Sequence, residues 1–195
     1  MTLVIPARTY ARIAGLLYLI IAVFGAFAIA YVPSVIVAAG DAATTTANLL
    51  ANQGLFGLGV FADVVVMLTE IVLSVMLFVL FKPTSPTLSM IAMVSRLTMV
   101  LVMAVNLLIY IMPLVLLRGA DQNGLATEQL QAAVLALFSA HKYGIYVWDM
   151  FFGFHLFVLA YEEPTLRAAF PSDYPAFFAA VPRWRPRLIP WRPEP

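Results

Sequence analysis

Asp63 and Glu70 lie inside one long apolar run of this chain, and Arg96 lies inside the next. A charge near the middle of a bilayer is costly, so such residues pair with one another, line a wet cavity or do chemical work. A later apolar region adds Lys142 and Asp149. Asn106 completes an expected intramembrane polar network, and His141, Tyr146 and His155 are candidates for lining a cavity beside it. Three readings of the network stay open. Structural ion pairing that locks helix register leads, a polar site that binds or conducts something comes second, and catalysis is third.

The residue types argue against most familiar chemistry. The chain has no cysteine, which removes disulfides, thiolate metal sites and thiol nucleophiles. It has no His-Glu-x-x-His helix, phosphate loop, Gly-x-Ser-x-Gly turn or dinucleotide fingerprint. His141 and His155 fall on roughly one helical face but about 21 Å apart along the axis, too far to share a metal. Gly54, Gly57 and Gly59 open an apolar run, where close helix packing explains them better than phosphate binding. No catalytic residue, metal site or cofactor is assigned, and the substrate is left open.

The elements that must position these residues are membrane helices. Hydrophobic residues make up 63% of the 195, and charged residues only 11%, against roughly a quarter in soluble domains. The expected fold is an all-α polytopic membrane bundle with four spanning helices. The spans run at about Ala11–Val32, Leu55–Phe81, Thr87–Leu117 and within Glu128–Tyr161. The first also resembles a signal peptide, with Ala28-Ile29-Ala30 as a cleavage-like pattern, but it exceeds the about 7–15 residues of a signal core. Between the first two spans, Asp41 is placed to cap a short interfacial helix. Lys82-Pro83-Thr84-Ser85-Pro86 forces a tight turn, Pro113 bends the third span, and Asn123-Gly124 marks a loop.

Residues 1–163 form the expected bundle and 164–195 a Pro/Arg-rich cytoplasmic tail, which holds eight of the thirteen prolines and cannot cross a membrane as a helix. Its Phe170, Tyr174, Phe177, Phe178, Trp184 and Trp191 either rest on the membrane surface or belong to a solvated tail. With both termini inside, the cytoplasmic segments carry Arg8, Arg12, Lys82, Arg167, Arg183, Arg185, Arg187 and Arg192. The outer segments carry Arg118 alone among arginines and lysines near the ends of the spans. The expected partner is the lipid bilayer. A net charge of +1 gives no basic surface for nucleic acid.

Helical rise then sets depth. Glu70 lies roughly 16 Å before the inner end of its span at Phe81, and Arg96 roughly 14 Å beyond Thr87. Opposite charges at one level, on helices joined by a tight turn, are expected to meet. Asp63 lies a heptad outward on the same face as Glu70, with Asn106 at a similar level. Asp149 is expected beside Glu70 and Arg96, and Lys142 beside Asp63.

Several local patterns together resemble a prokaryotic membrane family known only as a domain of unknown function (number 4386). They are Arg12-Ile13-Ala14-Gly15 with Tyr18, Tyr31-Val32-Pro33-Ser34, Asp41-Ala42, Thr46-Ala47-Asn48-Leu49, Leu55-Phe56 and Ala62-Asp63. Lys82-Pro83, Arg96-Leu97, His141 with Tyr143-Gly144, and Phe151-Phe152-Gly153-Phe154-His155 follow in order. The resemblance implies a multi-helix integral membrane protein, most simply of a bacterial inner membrane, and no established activity. Two departures stand out: Gly57 where the family usually carries a basic residue, and the tail where members carry about two more spans. Missing helices would leave a bundle face open, so a homo-oligomer is an expectation.

Overall fold

The computed structural model describes residues 7–83, 86–120 and 124–169, with the backbone alone for residues 7, 8, 155 and 157–169. The expected tail contacts, the turn at Thr84-Ser85, Asp121 and the His155 side chain lie outside this description. All regular structure in it is helical. Helix α1 spans Ala7–Gly25 and passes through a π-helical segment, Ala26–Tyr31, into α2, Val32–Ile36. The sequence expects Pro33 to end this span, yet the helix continues through it. A proline ring collides with the carbonyl four residues back in an α-helix. The wider π turn lies where that carbonyl, of Ile29, falls, and makes room there.

Helix α3, Ala42–Ala51, follows a turn in which Gly40 has φ 78°, a left-handed conformation that costs glycine little. Asp41 caps α3 as expected, accepting from the Thr44 amide at 2.9 Å and the Thr44 hydroxyl at 2.6 Å. Thr45 closes the turn behind it, donating to the Asp41 carbonyl at 2.7 Å and accepting from the Ala38 amide at 3.0 Å. Helices α4, Gln53–Phe81, and α5, Pro86–Arg118, are the longest apolar elements. Helix α6, Thr127–Ala169, runs beyond the Glu162-Glu163-Pro164 sequence where a break is expected.

Three stretches are long and apolar enough to cross a membrane: Thr9–Ile36, Gln53–Phe81 and Pro86–Arg118. At 29 residues, α4 is about 44 Å long, against about 30 Å of hydrocarbon. The distribution of side chains is inverted relative to a soluble protein. Arg96 is 1% exposed while Leu101 is 68% exposed, and Leu101, Val105 and Leu108 form an outward apolar stripe.

Helix α4 packs on α1 and α5, and α5 packs on α6. Two hydrogen-bonded levels set the direction of α6. Asn106 bonds to His141, and the Ser95 hydroxyl donates to the Phe151 carbonyl at 3.1 Å. Eleven residues down α5 correspond to ten up α6, so the two helices run antiparallel over about 16 Å. Apolar packing fills the rest: Phe56, Tyr110, Phe138 and Val134 at one end, Val66, Met99, Val100 and Met103 centrally, and Ala14, Leu73 and Leu77 at the other.

The Asp41 cap yields a prediction. Hydrogen bonds from the Thr44 side chain and amide hold the exposed Asp41 carboxyl below its ordinary value of 3.8. A lowered folded pKa means that the cap stabilises above the unfolded value and is lost as pH falls through the folded one. Asp41→Ala should therefore lower the Tm at neutral pH, and the gap to the parent should close in acid. A gap that stays constant from pH 7 to pH 2.5 would contradict the capping role.

Candidate functional site

The structure resolves the buried polar groups into two layers. In the first, the Arg96 guanidinium on α5 makes a salt bridge to the Glu70 carboxylate on α4. Its Nε donates to the Ser74 hydroxyl at 3.3 Å, and a terminal nitrogen donates to the Tyr18 hydroxyl at 3.0 Å. Ser74 donates in turn to the Glu70 carbonyl at 2.6 Å. The Tyr18 ring also lies 5.4 Å from the guanidinium carbon, within reach of a cation–π attraction. Three helices are thereby joined through one cation.

The second layer lies a heptad away and is built differently. Asn106 on α5 and His141 on α6 bond reciprocally. The Asn106 amide nitrogen donates to the His141 carbonyl at 3.1 Å, and His141 Nδ1 lies 3.2 Å from the Asn106 carbonyl. A carbonyl oxygen can only accept, so Nδ1 carries the hydrogen, which leaves Nε2 as the acceptor when the ring is neutral. Tyr110 stacks on His141 with centroids 4.4 Å apart. Its hydroxyl is buried without a hydrogen-bond partner among the described residues, as is the Asn106 side-chain oxygen. Asp63 is 6% exposed and makes no ion pair among the described residues.

Two adjoining cavities sit in this layer. A recess of about 10 Å³ is walled by Asp63, Asn106, His141 and Trp148 together with Ile29, Met67, Met103, Leu107 and Ile145. That is on the scale of a single water. A chamber of about 330 Å³ is lined by Ile29, Pro33, Val37, Tyr110, Phe138, His141, Lys142, Ile145 and Tyr146. The two share Ile29, His141 and Ile145 as walls.

The expected residues thus distribute unevenly. Glu70 and Arg96 meet, and Asp63 and Asn106 border one recess with His141. His141 and Tyr146 line the chamber. Lys142 also lines it but is itself exposed, and Asp149 is exposed and borders neither cavity. No single cavity gathers the whole set. Among the described residues, no group of three or more histidines and carboxylates is placed to hold a metal.

Four contributors escape sequence reasoning. Tyr18 enters the sequence reading only through the family resemblance, with no partner assigned, yet it reaches Arg96 from α1. Ser74 and Tyr110 each lie four residues beyond a polar network member, which is their one available signal. Gly144 lies where α6 crosses Asn106, and a Cβ there would overlap the Asn106 carboxamide. It lets the reciprocal Asn106–His141 bonds form.

Residues 13–162 match a family described as Domain of unknown function (DUF4386). The chain belongs to this family. No curated protein and no solved structure matches it. The DUF4386 match covers both polar layers and both cavities, so the site lies wholly within the family's shared region.

Gly144 supplies this DUF4386 site's own prediction. Gly144→Ala should cost about 1–3 kcal/mol, the range for forcing extra bulk into a packed interior. Gly57→Ala, where an added Cβ meets nothing within 4 Å, should be neutral or mildly stabilising in the helix. Thermal unfolding in detergent compares them. Equal Tm values for the two variants would show that Gly144 does not set the α5–α6 approach.

Proposed function

We propose that this DUF4386 protein is a non-enzymatic integral membrane bundle, structural or accessory in role, whose Glu70–Arg96 pair fixes helix assembly. The carrying observation is that Arg96 is answered from α4 and α1 at once, by Glu70, Ser74 and Tyr18. Neither cavity is lined by Glu70 or Arg96, which favours a lock over a conducting path. The alternative is a small transporter or ion-conducting protein with a polar path at Glu70, Arg96 and Asp149. It is less favoured because Asp149 is exposed, away from the ion pair.

The lock makes a folding prediction. Breaking one side of a buried ion pair leaves a lone buried charge and costs about 3–5 kcal/mol. Glu70→Gln and Arg96→Gln should each lower Tm and yield of folded protein, and the double change should recover much of the loss. Normal folding of either single variant would defeat the structural reading. Normal folding combined with loss of proton- or substrate-driven flux in liposomes would favour the transporter.

We further read α6 as a fourth span, with both termini in the cytoplasm of a bacterium and the bundle in its inner membrane. Support comes from the antiparallel course of α6 along the apolar α5 and from the arginine and lysine distribution. Absence of native cysteine makes single-cysteine labelling clean. Ala43→Cys should react with an impermeant maleimide in intact spheroplasts, and Lys82→Cys only after permeabilisation. The reverse pattern would invert the topology.

A further inference from the structure

The second polar layer holds groups that the lock does not use. Among the described residues, Asp63 is a buried carboxyl with no cationic partner, Tyr110 has a buried hydroxyl without a partner, and Nε2 of a neutral His141 is left to accept. Buried polar groups in a folded protein are almost always satisfied. These have a surplus of acceptors over donors, with one negative charge among them. Asp63 and His141 border a water-sized recess, and Tyr110 lines the chamber of about 330 Å³ that shares walls with it, a volume at the small end of the range for ligand pockets. The chamber is walled by the rings of Tyr110, Phe138 and Tyr146 and by aliphatic side chains.

We propose that the recess and chamber together bind a small monocationic amine carrying an apolar body. The ammonium group supplies the donors and the positive charge that Asp63 and His141 lack. Aromatic faces attract cations and accommodate an apolar body at the same time. A neutral apolar ligand would fill the chamber and leave Asp63 unanswered, and an anion would be repelled by it. Lys142 lines the same chamber, and its charge disfavours a second ammonium, so the class is restricted to monocations. This goes beyond the assembly role and is tested separately from it, since Glu70 and Arg96 line neither cavity.

Trp148 walls the recess, so it can report occupancy. The chain has two other tryptophans, Trp184 and Trp191, and replacing both by phenylalanine leaves Trp148 alone. In nanodiscs, with empty nanodiscs as the partition control, 2-phenylethylammonium should change Trp148 fluorescence saturably at one site per chain. The neutral isostere 2-phenylethanol should bind at least tenfold more weakly, as should 3-phenylpropanoate. Hexylammonium should bind more tightly than hexane-1,6-diammonium. Asp63→Asn should weaken the amine at least tenfold while keeping or raising Tm, because it removes an unpaired buried carboxyl. Equal binding of the amine and the alcohol by the unaltered site would overturn the proposal even if Asp63→Asn fails to fold. A folded Asp63→Asn that binds the amine as before would do the same, and a diamine that binds as tightly as hexylammonium would overturn the monocation class.

Discussion

A guanidinium inside an apolar bundle cannot shed its charge, since arginine stays protonated at any accessible pH. Everything around Arg96 has to answer that. Glu70 supplies the opposing charge, and Ser74 and Tyr18 accept from nitrogens that the carboxylate does not cover. Geometry follows from chemistry here. The fork of donors is rigid, so the helices that carry the acceptors are held at fixed height and rotation relative to α5. Apolar packing alone is permissive of sliding in lipid, because one leucine face fits another nearly as well after a shift. The ion pair removes that freedom, and the neighbouring Val66, Met99 and Leu73 contacts form in the register it sets.

The second layer inherits this register. With Glu70 opposite Arg96, Asp63 is carried to the level of Met103, and both border the recess. The antiparallel course of α6 then brings His141 opposite Asn106, where Gly144 allows the helices to approach closely enough for the reciprocal bonds. The first layer thus closes on itself, while the second ends at cavities. One positive charge accounts for the difference: Arg96 satisfies Glu70, and nothing in the described protein does the same for Asp63.

Relative level along neighbouring helices was legible in the sequence, and direction around each helix was only partly so. Counting residues from the turn at Lys82-Pro83 puts Glu70 and Arg96 at one level, and a single short connection forces their helices together. The same counting puts Asp149 at about the right height, since Phe151 bonds to Ser95 one residue from Arg96. Its failure is rotational. Ala140 to Asp149 has polar residues on several faces, so the heptad spacing of Lys142 and Asp149 defines a shared face without saying that it points inward. His141, adjacent to Lys142, takes the inward position instead. Pro33 misleads for a related reason, because a local rule about proline takes no account of a preceding π turn. Tyr18 and Gly144 were unreadable because their roles exist only across a helix–helix contact.

The two carboxylates pose different physical questions. Glu70 is explained once Arg96 is present, because removing either leaves a buried charge unanswered. The pair itself gains specificity more than stability, since well-packed apolar replacements of buried ion pairs are often neutral or better. Asp63 has no such account. A buried polar group with no partner costs folding energy, and a leucine or methionine would fill its place among Met67, Met103 and Leu107 without that cost. Among the described residues, Asp63 has no ion-pair partner and completes no hydrogen-bond network. A group that costs stability and contributes nothing to assembly is best explained by something that occupies the space in front of it. That places the search for this protein's activity at the recess beside His141, and away from the ion pair that makes the recess possible.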